Sequence, residues 1–173
     1  MTEKLFPAAV LEGALADRDA WRADGCPVAA ALGVVGTRSA LLIMREAFYG
    51  TTRFDEFAAR VGITEAVAAA RLRELTEAGL LQRVPYQEPG RRTRHEYQLT
   101  EMGSDLFPAV LALFQWGDKY LSPPPGAPLV MRHHDCGEPV HVSVTCEKGH
   151  DVPLAEVGVA ARPRPAAPRN LSE

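Results

Sequence analysis

What most constrains this chain is the order of elements between residues 54 and 99. Phe54–Val61 carries apolar residues at helical spacing and stops at Gly62-Ile63. A longer helical pattern over residues 64–78 comes next and ends at Gly79, a residue suited to a left-handed helix terminus. Two strand-like runs, Leu81–Tyr86 and Arg94–Leu99, then flank the turn Glu88-Pro89-Gly90. A short helix, a turn of about three residues and a second helix make a helix-turn-helix. A hairpin directly after the second helix makes it the winged variety. The fold class expected is therefore mainly α with a small β-wing, a winged helix-turn-helix.

The flanking sequence extends this plan. Pro27 suits the first turn of a helix running to Val35, and residues 40–48 give a second helix. Thr52-Arg53-Phe54-Asp55 reads as a capping box with Thr52 as N-cap. Thr100 caps a last long helix reaching about Tyr120. That helix carries Leu106, Val110, Leu113, Gly117 and Leu121 on one face and Phe107, Leu111 and Phe114 on another. A helix apolar on two sides needs a partner beyond its own domain, so a homodimer is expected. Pro108 should kink this helix or lie near its first turn.

The chain divides into four zones. Residues 1–24 read as an amphipathic dimerisation helix, with Leu5, Val10, Leu11, Leu15 and Trp21 at roughly helical spacing. Residues 25–121 form the DNA-binding domain with its C-terminal dimerisation helix. Residues 122–160 open with a Pro-rich linker and continue into a small Cys/His module resembling a β-ribbon, with residues 140–145 as a strand. Residues 161–173, rich in Pro, Ala and Arg, read as a disordered tail.

Composition limits the function classes. With 46% hydrophobic and 24% charged residues the chain is globular in make-up. No apolar run approaches the roughly 20 residues that cross a bilayer, so no membrane partner is expected. The first residues lack the long apolar stretch of a signal peptide, and three cysteines do not build a disulfide scaffold. A cytoplasmic location fits both. A net charge of −3 counts mildly against nucleic-acid binding, because affinity for duplex comes largely from neutralising phosphates. The local distribution restores it: Arg71, Arg73, Arg83, Arg91, Arg92 and Arg94 face only Glu74, Glu77 and Glu88 in the same stretch.

Several segments together resemble the HxlR-type winged helix regulators. They are Cys26-Pro27-Val28, Gly36-Thr37-Arg38 with residues 41–46, and Arg53-Phe54-Asp55-Glu56-Phe57. After them come Ile63-Thr64, residues 71–75 with Ala78-Gly79-Leu80, Glu96-Tyr97-Gln98-Leu99-Thr100 with Gly103, and Trp116-Gly117. The resemblance runs from Cys26 to about Gly117. It implies a homodimeric transcription regulator, activator or repressor, in which N- and C-terminal helices form the interface and two wings flank two recognition helices. Two departures stand out. Ser39 takes a position where relatives usually carry Trp, and the recognition helix begins Thr64-Glu65-Ala66-Val67-Ala68-Ala69-Ala70.

Ala68, Leu72 and Leu75 form the buried stripe of that helix, which leaves Thr64, Glu65, Ala66, Ala69, Ala70 and Arg73 exposed. Reading bases in the major groove takes side-chain donors and acceptors, and alanine offers only contact to a thymine methyl. A weak direct code is expected, with affinity drawn from phosphate contacts by Arg71, Arg73 and the helix N-terminus. The wing tip, with Arg91, Arg92 and Arg94, is the strongest candidate for DNA contact, since arginines on a hairpin can sense minor-groove width. Arg53, in the family-like segment, completes the set with Thr64 and Glu65. The competing reading is a winged-helix dimer that has lost specific DNA binding and serves as a ligand- or protein-binding module.

Other features carry alternatives. In some relatives resembling this chain the cysteine at the position of Cys26 senses electrophiles or oxidants; the plainer reading is a small buried hydrophobe. A small-molecule effector would lie between the dimerisation helices and the winged domain, where Ser39 leaves room. His134, Cys136, Cys146 and His150 are the natural quartet for a tetrahedral zinc, although neither pair is a CxxC knuckle. A metal-free remnant of a zinc-ribbon-like fold is the alternative, so no cofactor is expected. Cys136 or Cys146 beside a histidine lacks the third residue and oxyanion loop of a nucleophilic enzyme, and no catalytic residues are assigned.

Overall fold

The computed structural model describes residues 7–19, 25–87, 89–90 and 92–162. Its elements in chain order are β1 (Val10–Leu11), α1 (Pro27–Val35), α2 (Arg38–Phe48), α3 (Phe54–Val61), α4 (Glu65–Glu77), β2 (Leu81–Tyr86), β3 (Arg94–Leu99), α5 (Glu101–Ser104), α6 (Phe107–Leu121) and β4 (Gly158–Val159). Short 3-10 turns occupy Gly13–Leu15 and Leu154–Glu156. The chain divides into two bodies, residues 25–142 and the two terminal segments, residues 1–24 with 143–173.

The larger body is the winged helix-turn-helix. Local signals start its helices: Pro27 lies in the first turn of α1, and the Thr37 hydroxyl accepts from the Ala40 N–H to cap α2. Thr64 does the same for α4, accepting from the Val67 N–H at 3.3 Å. Between α3 and α4, Gly62 adopts φ +69°, which lets the chain reverse at no Cβ cost. Thr100 ties the wing to α5: its hydroxyl donates to the Gly79 carbonyl at 2.6 Å and accepts from the Gly103 N–H at 3.0 Å.

The core is the meeting of α2, α3 and α4 with the start of the wing. Ile43, Met44, Phe57, Leu72, Leu75 and Leu81 are its largest buried side chains. Ala68, Leu72 and Leu75 form the buried stripe of α4 as their spacing predicts. The antiparallel hairpin pairs Leu81 with Leu99, Arg83 with Tyr97 and Tyr86 with Arg94, so both strands have the predicted bounds. Gly103 sits where α5 crosses Leu80, and a Cβ there would collide with the Leu80 carbonyl oxygen. That approach explains a glycine inside a helix.

Several expectations need correction. The capping box at Thr52 does not form: α3 has its expected bounds, but its N-cap is Arg53, with no side-chain cap. The single last helix is two, because the chain breaks after Ser104 and restarts with Pro108 in the first turn of α6. The amphipathic helix over residues 1–24 is not formed in its described part. Val10–Leu11 is a strand instead, paired in parallel with Gly158–Val159 through Val10 N–H to the Val157 carbonyl at 2.8 Å. The module at residues 122–160 is likewise not one unit, since its first part belongs to the larger body and its second part to the terminal body. The strand over residues 140–145 does not form; within that span only Thr145 is bridged, to Asp151. The tail assigned as disordered lies outside the described residues from 163 onward.

Candidate nucleic-acid interface

The hairpin is held to the helix-turn-helix from three directions. The Tyr97 N–H donates to the Thr52 carbonyl at 2.8 Å, so β3 gains a partner on its outer edge. The Tyr97 ring meets Phe57 edge-on at 6.3 Å between centroids, which roots β3 in the core. The Arg53 guanidinium lies 3.2 Å from the centroid of Tyr86 and 3.9 Å from the Glu96 carboxylate. The wing therefore has a defined attitude relative to α3 and α4.

This changes the role of Arg53. It is half-buried, and one of its terminal nitrogens has no hydrogen-bond partner while shielded from solvent. Its guanidinium packs in the joint between α3 and the wing and is less open to solvent than the exposed Arg92 and Arg94. Tyr86, Glu96, Tyr97 and Thr52 belong to the same joint. Sequence reasoning did not single them out for it, although the alternation along β2 and β3 would have placed Tyr86 and Glu96 on one face.

The two arginines of the recognition helix separate. Arg71 is only 31% exposed, is engaged by Glu74 one turn along, and has its Nε buried. Arg73 is 68% exposed, with Glu77 at 4.0 Å. Positions 71 and 73 lie about 200° apart around a helix, so only one of the two can share a face with the alanines. That one is Arg73, in a stripe with Glu65, Ala66 and Ala69, all exposed. The acidic partners three and four residues on were the signal for this pairing.

At the wing, Arg92 and Arg94 are exposed, and Arg94 closes the last registered pair of the hairpin opposite Tyr86. A polar cleft of about 300 Å³ runs between the start of α3 and the hairpin, lined by Arg53, Asp55, Tyr86, Arg94 and His95. It brings together two of the predicted arginines. Arg91 lies outside the described residues. Thr64 and Glu65 stand at the exposed N-terminus of α4, where the first backbone N–H groups are free to meet an anion.

The zinc candidates fall in both bodies, His134 and Cys136 in the larger and Cys146 and His150 in the terminal one. Cys136 lies 3.1 Å from His133 Nδ1 rather than beside His134, which is fully exposed. Cys146 and His150 belong to the terminal body and close a tight turn, with the Cys146 N–H donating to the His150 carbonyl at 3.0 Å. Among the described residues no group of three or more Cys, His, Asp or Glu is placed to hold a metal ion. Cys26 is the half-buried residue just before α1 and forms no disulfide.

The Cys146 turn has a chemical consequence of its own. Hydrogen bonding from the backbone of His150, and next from Lys148, holds the thiol below its ordinary pKa, against a weaker opposing effect of burial. The thiolate is the nucleophile, so alkylation of Cys146 should set in at lower pH than for an ordinary thiol. Iodoacetamide labelling followed by mass spectrometry across a pH series measures this. A Cys146 profile that overlays that of a free cysteine peptide contradicts it.

No single helix among the described residues is long and apolar enough to cross a membrane. Residues 34–124 match the family described as HxlR-like helix-turn-helix. An HTH-type transcriptional regulator of Mycobacterium tuberculosis strain H37Rv, itself uncharacterised, is 49% identical over 125 residues, which is 72% of this chain and 78% of the relative. A solved structure of PA1607, a candidate transcription factor, is 37% identical with a TM-score of 0.71 and covers 79% of this chain and 94% of its own. PA1374 of Pseudomonas aeruginosa, also a candidate transcription factor, is 34% identical with a TM-score of 0.56, covering 83% of this chain and 96% of its own. These likenesses give no support to the repurposed-module alternative. The wing, the capped recognition helix and the matched span agree: the chain belongs to the HxlR-like helix-turn-helix family of transcription regulators.

Proposed function

We propose that the protein acts as a symmetric dimer that binds duplex DNA mainly through its sugar-phosphate backbone, as a cytoplasmic repressor without catalytic activity. The observation that carries the reading is the combination on one body of an alanine-lined recognition face and an arginine-bearing wing fastened by Arg53, Tyr86 and Tyr97. Phosphate contacts position a protein, while base contacts specify a sequence. With Ala66 and Ala69 in the stripe, Arg73 and Glu65 are the remaining polar readers of base edges. Arg92, Arg94 and the α4 N-terminus supply the sequence-independent share.

The dimer rests on apolar surface that one chain leaves open. In α6, Val110 and Leu111 are buried, whereas Leu113, Trp116 and Tyr120 are 54%, 56% and 60% exposed. In α1 only Val35 is buried, and Val28 and Leu32 are open to solvent. Each large side chain moved from water to a packed interface contributes about 1.5–3 kcal/mol before the costs of association. We assign part of the interface to α1 on this ground.

Size-exclusion chromatography with light scattering tests the assembly. The native chain should run as a dimer, and Leu113→Glu with Trp116→Glu should yield a folded monomer. Nuclease protection on DNA selected from a random duplex library should show two half-sites about one helical turn apart. A native monomer, or a single asymmetric half-site, contradicts the proposal.

A further inference from the structure

The larger body contains a cavity that the DNA-binding reading leaves unused. It has a volume of about 320 Å³ and lies between α2 and α6. Arg38, Leu41, Leu42, Arg45 and Tyr49 line it from one face of α2 at steps of three, one, three and four residues. Val110, Leu113 and Phe114 line it from α6, and Met131 closes it from the extension beyond that helix. The volume lies at the lower end of the range in which small-molecule sites fall, about 300–1,000 Å³.

The third wall is built, not slack. Gln115, adjacent to the lining residue Phe114, donates from Nε2 to the Val140 carbonyl at 2.8 Å and accepts the Val142 N–H at 2.9 Å. The Val140 N–H in turn donates to the Met131 carbonyl at 2.9 Å. Asp118 receives the Ala127 N–H at 2.5 Å. Two side chains of α6 thus hold residues 127–142 in place, and that segment presents Met131 to the cavity.

The chemistry of the lining selects a ligand type. The interior is Leu, Val, Phe and Met, which favours an apolar body. The charged side chains on the lining are arginines, with no carboxylate among them. Arg45 is already committed to Glu46, donating from Nε at 3.0 Å and from Nη2 at 2.6 Å to the same oxygen. Arg38 is exposed, sits in the first turn of α2 and makes no ion pair with any described carboxylate. A guanidinium presents a planar fork of donors that fits a carboxylate with two parallel hydrogen bonds.

We propose that this cavity is the binding site for a small amphipathic organic acid, its apolar body between α2 and α6 and its carboxylate at Arg38. The adjacent α2 residues Ile43 and Met44 are core residues packed with Leu72 and Leu75 of the recognition helix. Occupancy of the cavity therefore acts on the helix that supports α4.

Isothermal titration calorimetry on the full chain, without DNA, tests the site with three probes: octanoate, 4-phenylbutyrate and naphthalene-2-carboxylate. At least one acid should bind, and its uncharged carboxamide should bind about tenfold more weakly or less. Arg38→Met keeps an apolar stem and removes the charge. It should weaken the acid by about tenfold while leaving the carboxamide unchanged, a difference of about 1.4 kcal/mol. The proposal is overturned if acid and carboxamide bind equally, or if Arg38→Met binds the acid like the native chain. It is also overturned if none of the three acids binds at millimolar concentration, as when a second copy of the chain fills the cavity. Because no DNA is present, this outcome and the failure of DNA binding are read separately.

Discussion

Replacing Phe57 with alanine is expected to remove about 3–5 kcal/mol of stability and to abolish DNA binding at physiological temperature. Phe57 is completely buried at the centre of the larger body, among Ile43, Met44, Leu72 and Leu75. Its removal costs the transfer of a whole aromatic ring, and a cavity too well framed by three helices to collapse is left behind. The edge-on contact with Tyr97 disappears as well, so β3 loses its anchor in the core. A domain of this size is typically stable by about 5–15 kcal/mol, so the loss consumes a large share of the total. Thermal unfolding followed by circular dichroism should show a midpoint lowered by about 10–20 °C. A midpoint within a few degrees of the native one would mean that Phe57 does not organise this core. Thr64→Ala gives the scale of a lesser defect, since losing that cap costs about 1 kcal/mol.

Replacing Arg92 and Arg94 together with alanine should leave the fold intact and weaken duplex binding by about 10- to 100-fold at moderate salt. Both side chains are exposed and neither contributes to the core. The stronger diagnostic is the salt dependence. Each phosphate contact contributes about 0.9 to the slope of log affinity against log salt, so a dimer that loses four such contacts should flatten by about 3.6. Fluorescence anisotropy of a labelled duplex over a salt series gives both quantities. An unchanged slope would take the wing out of the interface. Arg53→Ala provides the contrast: it frees the Tyr86 and Glu96 joint, so it should lower affinity by letting the hairpin move. Its effect should then be partly reversed by measures that rigidify the hairpin, which no phosphate contact would show.

The weak point of sequence-specific binding is visible in the same geometry. An exposed stripe of Glu65, Ala66, Ala69 and Arg73 has two polar side chains, and Arg73 has Glu77 within 4.0 Å. Specificity would then draw on groove shape, which arginines in a narrow minor groove read through electrostatic potential. Surface ion pairs such as Arg73 with Glu77 contribute about 0–1 kcal/mol, so exchanging Glu77 for a phosphate costs little. Arg71 differs, because its half-buried position and its pairing with Glu74 tie it to the protein.

Much of the DNA-binding body was legible in the residues alone. Gly62-Ile63 as a turn, Gly79 as a helix end, the 68-72-75 stripe and the two strand runs are signals between near neighbours. They act within one or two turns of chain, and periodicity reports them directly. The bounds of both strands were legible too, whereas the register was set by tertiary packing, since slipping it by one residue would turn Leu81 and Leu99 away from the core.

Other features were decided only when distant parts of the chain met. Val10–Leu11 has apolar residues that fit a helical pattern, yet they pair with Gly158–Val159, and no local signal in either segment names the other. Arg53 reads as a cation near DNA until Tyr86 and Glu96, more than thirty residues on, arrive around it. The cavity between α2 and α6 needs Met131 and the hold of Gln115 on Val140 and Val142. Between residues 27 and 99 the sequence by itself determined which segments are helix, turn and wing, because those choices are settled by backbone propensity and near-neighbour patterns. Tertiary structure decided which charges are spent inside the protein and which remain for a partner, because that depends on contacts whose entropic cost is met only by the whole fold.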